Sequence, residues 1–336
     1  MQIENNLMFM KIILFKLNKV INLKNRIFPL FLWLIMIGSL SSLVVSCGGH
    51  YRIDKNPPPI PQAIIKKPIR LALVLGGGGA RGMAHVGVLE EFEKANIPID
   101  VIVGCSAGSI VGALYADHPN AQRVKTLLAP LKKCDMLDLD IWNARYGLVQ
   151  GRCLKSVLKR SLCSTRFEDL KIPLYIVATD IMEGKLITFS SGPIIPAVHA
   201  SSAVPFVFVP VLFYGRWLVD GGVADPIPVT VAKELEADII VAVDLSELLQ
   251  RTCPTNLFGI ARRAAEIKFL LQTKSCVQGA DVVISPDLID VGMFDDTNSQ
   301  RVYEAGRKAA SKAIPQILKL LAEKELACDL ATIPDN

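Results

Sequence analysis

The chain has 336 residues, 51% of them hydrophobic, so it can bury one sizeable core and need not contain two. Its formal net charge is +5, but residues 1–46 hold five of the 37 Lys and Arg residues and one of the 32 Asp and Glu residues. The remaining residues carry 32 cations against 31 anions, which gives no basic stripe. We therefore expect no nucleic-acid partner.

The N-terminal segment, residues 1–46, is typical of an export signal. Scattered cations precede an apolar stretch at 27–37, and small residues follow it. These 11 apolar residues are short for a membrane-spanning helix. Counting on to Val45 gives 19 residues, so a retained signal anchor stays open as the alternative to a cleaved signal peptide.

The end of this segment, Val44-Val45-Ser46-Cys47, resembles the lipobox of bacterial lipoproteins, in which the cysteine receives lipid. The alternative is ordinary signal cleavage nearby, which leaves Cys47 a plain thiol. We expect an exported chain that is lipid-anchored at the cell envelope, at the outer membrane or the periplasmic face. A secreted chain is the alternative.

Residues 47–68 form a proline-rich segment, and we expect it to be an extended, unpacked tether. The seven cysteines after Cys47 include no pair with Cys-x-x-Cys metal spacing. We expect no metal site, and we also expect no cofactor.

From Ile69 onward, short apolar runs alternate with helical patterns. The predicted strands are 69–75, 100–104, 173–180, 217–220, 238–244 and 281–285. The predicted helices are 83–95, 107–117, 120–133, 151–162, 226–236, 257–278 and 299–324. This alternation predicts an α/β fold, with a mainly parallel sheet between two layers of helices.

The first glycine-rich turn, "GGGGARG" (76–82), follows the first strand and matches Gly-x-Gly-x-x-Gly through Gly77, Gly79 and Gly82. This spacing is also the fingerprint of dinucleotide-binding Rossmann proteins, which remain an alternative. They need an acidic residue at the end of the second strand. Asp100 instead begins that strand, and Ser106 stands at its end.

The second turn, Gly104-Cys105-Ser106-Ala107-Gly108, places a serine on a tight strand-to-helix bend. Parallel strands bring both turns to the same edge of the sheet. Backbone N–H groups of the first turn would then face the serine, as acyl transfer requires for its oxyanion. The two turns together favour a serine hydrolase.

A base for Ser106 is harder to find, because the chain has only four histidines: His50, His85, His118 and His199. We expect structural roles for His85 and His199, so a Ser–His–Asp triad is not expected. Asp220 ends an apolar strand and precedes two glycines. From these local residues alone, Asp220 is equally well a catalytic base or an ordinary Asp-Gly turn.

The ordered motifs "GGGARG" (77–82), "AHVGVLEEFE", "GCSAG" (104–108), "ASSAVPFVFVPV" (200–211) and "DGG" (220–222) resemble the patatin-like phospholipases. The resemblance covers about 69–325 and leaves 326–336 as a C-terminal tail. It implies a three-layer α/β/α domain that hydrolyses lipid acyl esters with a Ser–Asp dyad. Asp225 is a departure, since the family often has asparagine there.

The resemblance also assigns roles to matching positions. It implies that Ser106 is the nucleophile and Asp220 the proton acceptor. The other positions are the oxyanion loop Gly77, Gly78 and Gly79, the elbow glycines Gly104 and Gly108, and the turn glycines Gly221 and Gly222. Arg81 and Gly82 are expected to support the loop or the substrate, with contact of Arg81 to an anionic lipid head group as the alternative to ordering the loop. The implied partners are membrane lipids or a phospholipid substrate. The oligomeric state stays open, and a catalytically silent lipid-binding lipoprotein is a second alternative.

Overall fold

The computed structural model describes residues 54, 56–65, 68–140, 146–246, 254–289, 291–293 and 297–331. The predicted signal segment and Cys47 lie outside these ranges. Within them, no helix combines the length and the apolar character needed to cross a bilayer.

Eight strands and nine α-helices lie in the described ranges. The strands are β1 (Leu71–Leu75), β2 (Val101–Cys105), β3 (Leu174–Asp180), β4 (Lys185–Phe189), β5 (Val211–Phe213), β6 (Arg216–Asp220), β7 (Ile239–Val243) and β8 (Val282–Ile284). The helices are α1 (Met83–Lys94), α2 (Ala107–Asp117), α3 (Ala121–Leu128), α4 (Lys133–Met136), α5 (Arg152–Ser161), α6 (Ile194–Ser201), α7 (Val229–Glu234), α8 (Leu257–Cys276) and α9 (Ser299–Ala331).

One sheet contains all eight strands, in the order β5-β6-β3-β2-β1-β7-β8, with β4 paired to β3. Strands β3, β2, β1, β7 and β8 run parallel, whereas β4, β5 and β6 join by antiparallel pairing. The central strands β1, β2 and β7 are fully buried apolar runs, as expected for parallel strands covered on both faces.

Two apolar clusters pack on the two faces of this sheet. Along β1, Leu71, Leu73 and Leu75 belong to one cluster, together with residues of α1, α2 and α9. Ala72 and Val74 belong to the other, together with residues of α7 and the end of α8. The alternation follows from the two-residue period of a strand. The predicted three-layer α/β/α fold is confirmed.

Strand β3 brings the ends of β2 and β6 together. Cys105, the last residue of β2, pairs with Val177 in parallel. Asp220, the last residue of β6, pairs with Ala178 in antiparallel orientation. The two strands therefore approach the same point of β3 from opposite directions, and their following turns meet there.

Three predicted helix boundaries are wrong, two of them because of proline. The predicted helix 120–133 is two helices, α3 and α4, because Pro130 lies between them and cannot continue a helix. The helix predicted at 226–236 begins only at Val229, after Pro226 and Pro228. Helix α9 runs to Ala331, so the predicted tail 326–336 begins inside a helix.

Strands β4 and β5 and helix α6 were not predicted from the sequence, and the prediction of an unpacked tether is wrong for part of residues 47–68. Gln62 donates from its side chain to the Thr188 carbonyl at 2.8 Å, and the Ala63 N–H donates to Ser190 Oγ at 2.8 Å. Ile60 packs against the core. The described residues of the tether near these positions are therefore held along β4 and are not unpacked.

Candidate active site

Ser106 occupies a strained turn between β2 and α2. Its backbone has φ 51° and ψ −118°, an unfavourable conformation for a residue with a side chain. A Cβ on Gly108 would lie 2.0 Å from the Leu75 carbonyl oxygen, and one on Gly104 would lie 2.8 Å from the Gly108 carbonyl oxygen. Glycine at these two positions therefore lets the turn pack tightly against β1 and α2.

Asp220 lies in direct contact with this serine. Ser106 Oγ donates to Asp220 Oδ2 at 2.6 Å, and the Gly222 N–H donates to Asp220 Oδ1 at 2.7 Å. Both carboxylate oxygens are thus engaged, and the carboxyl group has one orientation. Ser106 and Asp220 are both buried.

Burial changes the chemistry of the Asp220 carboxyl. Removal from water raises its pKa to about 6, although the hydrogen bonds from Ser106 and Gly222 partly oppose this rise. Cys105, next to the serine, is also buried, and burial together with the nearby Asp220 charge raises the pKa of its thiol. Cys105 therefore remains a neutral core residue.

Two further polar side chains hold the pair in place, and neither was predicted from the sequence to have a role. The Ser106 N–H donates to Ser201 Oγ at 2.9 Å, and Thr179 Oγ1 donates to the Asp220 carbonyl at 2.9 Å. Ser201 lies in the motif "ASSAVPFVFVPV", so the family resemblance was the available signal for it. Thr179 lies near the end of β3 and carries no comparable signal.

The glycine turn approaches the serine, but one of its three predicted oxyanion donors is already used. A Cβ on Gly77 would lie 3.5 Å from Ser106 Cβ, so the turn is adjacent to the serine. The Gly77 N–H, however, donates to the Pro226 carbonyl at 2.9 Å. The prediction of Gly77 as an oxyanion donor is therefore corrected. Among the described residues, the N–H groups of Gly78 and Gly79 have no acceptor.

Arg81 ties the glycine turn to two other loops. Its guanidinium donates from Nε to the Val291 carbonyl at 2.8 Å and from Nη1 to the Leu245 carbonyl at 3.2 Å, and the residue is buried. The Ala80 N–H donates to the Met293 carbonyl at 2.7 Å. Gly82 follows and precedes α1, where a Cβ would lie 3.1 Å from Ala107 Cβ. These contacts fix the turn beside Ser106.

An apolar pocket of about 190 Å³ opens beside Ser106. Its walls come from α1, α2, α5 and the segments around residues 128–137 and 202–208. They include Met83, Ile110, Leu131, Leu154, Val204 and Phe208. Such a lining suits a hydrocarbon chain.

The remaining candidates from the sequence lie in structural positions. His85 is fully buried with Nε2 2.8 Å from the Gly76 carbonyl oxygen, and burial lowers its pKa to about 4. Burial likewise lowers the pKa of His199 to about 4. Asp100 accepts a hydrogen bond from the Leu71 N–H at 2.9 Å, at the opposite end of β1 from the glycine turn. It is thus too far along the sheet for the ribose contact of a Rossmann site.

Asp225, the departure from the family pattern, is buried in the turn after Gly221 and Gly222. It accepts a hydrogen bond from Thr230 Oγ1 at 2.8 Å, and burial raises its pKa. A Cβ on Gly221 would lie 2.6 Å from the Val177 carbonyl oxygen, so this turn packs directly on β3. In the described part of the chain, no three His, Cys, Asp or Glu side chains cluster to hold a metal ion.

Within α/β folds, a serine on a strained strand-to-helix turn is typical of hydrolases that use a serine nucleophile. The comparison with protein families narrows this class. The patatin-like phospholipase family model matches residues 73–233. This match identifies residues 73–233 as a patatin-like phospholipase domain.

Individual relatives agree with this assignment. An uncharacterized NTE family protein of Mycobacterium tuberculosis is 33% identical over 177 residues, which are 53% of this chain and 49% of the relative. The lysophospholipase NTE1 of Coccidioides immitis is 35% identical over 186 residues, 54% of this chain and 12% of the relative. The chain therefore spans half or less of these relatives.

A solved structure supports the fold independently. VipD from Legionella pneumophila superposes with a TM-score of 0.50 at 14% sequence identity. The match covers 84% of this chain and 73% of that one. At this identity the likeness concerns the fold alone.

Proposed function

We propose that the chain is a serine acyl-ester hydrolase of lipids, a phospholipase A or lipid acyl hydrolase, with Ser106 as nucleophile and Asp220 as base. The observation that carries the proposal is the 2.6 Å hydrogen bond from Ser106 Oγ to Asp220 Oδ2 beside an apolar pocket. A nucleophile and its base need this separation for direct proton transfer.

The reaction begins when Asp220 accepts the Ser106 proton and Ser106 Oγ attacks the ester carbonyl carbon. Negative charge develops on the carbonyl oxygen, and the Gly78 and Gly79 N–H groups are the proposed donors to it. The C–O bond then breaks and Asp220 returns the proton to the leaving alcohol. Water, deprotonated by Asp220, then attacks the acyl carbon. The bond from this carbon to Ser106 Oγ breaks, Asp220 returns the proton to Ser106 Oγ, and the fatty acid is released.

The environment of Asp220 supports its role as a base. A carboxylate with an ordinary pKa near 4 is a weak proton acceptor, and a pKa of about 6 brings it closer to the working pH. Asp220 also has both oxygens oriented by hydrogen bonds before substrate binds. No reorientation is then needed when the proton moves.

The proposed substrate is a lipid acyl ester, because the pocket is apolar and adjoins Ser106. The patatin-like phospholipase domain agrees with a lipid substrate. We therefore propose membrane phospholipids as the substrate class.

Active-site labelling tests the proposal. A fluorophosphonate should label the wild-type chain at Ser106 and should not label Ser106→Ala. The same two proteins should differ in the hydrolysis of a soluble short-chain ester. A labelled Ser106→Ala chain would contradict the assignment of the nucleophile. If neither the wild type nor Ser106→Ala is labelled, the catalytically silent lipid-binding protein is favoured. If the wild type is not labelled and a dinucleotide raises its thermal stability, the Rossmann alternative is favoured.

We also propose that the chain is exported and lipid-anchored through Cys47 at the cell envelope. The sequence before Cys47 supports this proposal. Metabolic labelling with a radioactive fatty acid should mark the wild-type chain but not Cys47→Ala. Equal labelling of both would contradict lipidation at Cys47, and processing without lipid would favour the secreted form.

A further inference from the structure

We propose that the rim of the apolar pocket is a docking surface for an anionic lipid bilayer. Its apolar part consists of Leu139, Leu148 and Phe206, and its cationic part lies on α5 and at the start of α4. This inference rests on the proposed function, because docking at the rim places bilayer lipids at the entrance to the pocket.

The three apolar side chains are exposed to solvent. The exposed fraction is 69% for Leu139, 41% for Leu148 and 81% for Phe206. Single exposed apolar residues are common on soluble proteins, whereas a contiguous set marks an interaction site.

Backbone hydrogen bonds make these residues neighbours. The Asp140 N–H donates to the Leu148 carbonyl at 2.7 Å, and the Leu148 N–H donates to the Val207 carbonyl at 2.8 Å. Leu139 and Phe206 directly precede the first and last residues of this ladder. The bridges Leu139–Val149 and Val149–Phe208 place the three short segments side by side, with Phe206 in the turn before Phe208. The three exposed residues therefore lie on neighbouring segments, and we call them the patch.

The patch continues into the pocket beside Ser106. Leu137, two residues before Leu139, lines the pocket, and so does Phe208, two residues after Phe206. An acyl chain that leaves a bilayer at the patch therefore meets apolar side chains from the surface to the serine.

Cations concentrate around the same rim. The described residues between 132 and 160 include six cations, Lys132, Lys133, Arg152, Lys155, Lys159 and Arg160, and three anions, Asp135, Asp138 and Asp140. Arg152 pairs with two of these anions, at 2.9 Å from Asp138 and 3.6 Å from Asp140. Because the chain after residue 46 is almost neutral, this local excess favours an anionic partner.

Four of these cations lie on segments whose residues line the pocket. Lys132 and Lys133 are exposed and line the pocket entrance. Lys155 and Lys159 are exposed and lie one turn apart on α5, while Leu154 of the same helix lines the pocket. An apolar patch flanked by lysines is the pattern of proteins that bind the interface of anionic membranes.

Kinetics on two kinds of substrate test the docking surface in the full chain. The double variant Leu139→Ser/Phe206→Ser should lose at least tenfold in turnover on phospholipid vesicles that contain phosphatidylglycerol. Turnover of a soluble short-chain ester should stay within twofold of wild type. Ile64→Ser/Leu318→Ser, at exposed apolar positions elsewhere, is the matched control and should change neither rate.

The cationic part has its own pair of variants. Each cation near an anionic membrane strengthens binding about fivefold, which corresponds to about 1 kcal/mol. The turnover rate of Lys155→Gln/Lys159→Gln on subsaturating phosphatidylglycerol vesicles should therefore be roughly 25-fold lower than that of wild type. Pure phosphatidylcholine vesicles should show little change. Lys308→Gln/Lys312→Gln on α9 has the same spacing and exposure and should behave as wild type. Equal vesicle rates for all variants would overturn the proposal.

A readout without catalysis separates this proposal from the proposed function. In the full-length Ser106→Ala chain, Phe206→Trp should add fluorescence that brominated phosphatidylglycerol quenches. Leu318→Trp should add fluorescence that the same lipid does not quench. No quenching at position 206 overturns the docking surface even if Ser106 is catalytic. Quenching together with an active Ser106→Ala chain would overturn only the proposed nucleophile.

Discussion

The backbone N–H of Ser106 donates a hydrogen bond of 2.9 Å to Oγ of Ser201, and both residues are buried. This bond fixes the strained turn from the side of α6. It also uses the N–H of the proposed nucleophile, so this N–H is not available to the oxyanion.

Replacement of Ser201 should therefore weaken both the fold and the reaction. Ser201→Ala leaves the buried Ser106 N–H without its acceptor, which costs about 1–3 kcal/mol in the free energy of unfolding. Turnover of a soluble ester should fall as the turn loses its orientation. Ser156→Ala, at an exposed position of α5, is the control. Chemical denaturation and ester kinetics measure the two effects, and unchanged values for Ser201→Ala would refute this role.

Two buried aspartates near the same turn should differ in their effect on activity. Asp220→Asn removes the proton acceptor and should lower turnover by at least about a thousandfold, near the upper part of the range for acid–base catalysis. Asp225→Asn keeps the shape of the turn and should retain most of the activity. Steady-state kinetics on a soluble ester compare them. Comparable losses in both variants would mean that burial in this turn, and not proton transfer, explains the effect.

The pH dependence of turnover should report the Asp220 carboxyl. The base must be ionised, and burial raises its pKa to about 6. The value of kcat/KM for a soluble ester should therefore rise with pH and level off above about 6. A midpoint near 4 would indicate that Asp220 is solvated or is not the base.

The same pKa predicts the sign of a stability change. The folded-state value of about 6 lies above the ordinary 3.8, so ionised Asp220 opposes folding. This cost is absent below pH 3.8, grows up to pH 6 and is complete above it. It amounts to about 3 kcal/mol at about 1.4 kcal/mol per pH unit. Asp220→Asn should thus raise the free energy of unfolding relative to wild type more at pH 8 than at pH 4, as measured by denaturation at both pH values.

Replacement of glycine by alanine should lower the stability of the fold by very different amounts at two positions. A Cβ on Gly108 would lie 2.0 Å from the Leu75 carbonyl oxygen, so Gly108→Ala should cost about 3 kcal/mol or more. Gly184 has φ +67° but nothing within 4 Å of the added Cβ, so Gly184→Ala should cost only about 1–2 kcal/mol of backbone strain. Thermal unfolding compares the two. A similar cost for both would show that α2 shifts to accept the methyl group.

Much of this protein follows from local sequence patterns. The runs that became β1, β2, β3 and β7 are apolar enough to be buried on both faces, and this property marks them as parallel strands without any tertiary information. The pattern around Ser106 likewise predicts a tight strand-to-helix turn. Prediction failed for the edge strand β5, which is only three residues long, and for Gln62 and Ala63, whose partners Thr188 and Ser190 lie far along the chain.

The sequence by itself determined Ser106 as the candidate nucleophile, because a glycine-flanked turn is a local property. It left Asp220 undecided between a base and an ordinary turn until the family resemblance was considered. The tertiary structure decided that Ser106 and Asp220, 114 positions apart, touch, because β3 brings the ends of β2 and β6 together. It also decided that the Gly77 N–H donates to the Pro226 carbonyl and that the Ser106 N–H donates to Ser201 Oγ, which fixes the turn at Ser106. Such pairings depend on strand order and register, which no local pattern of residues specifies.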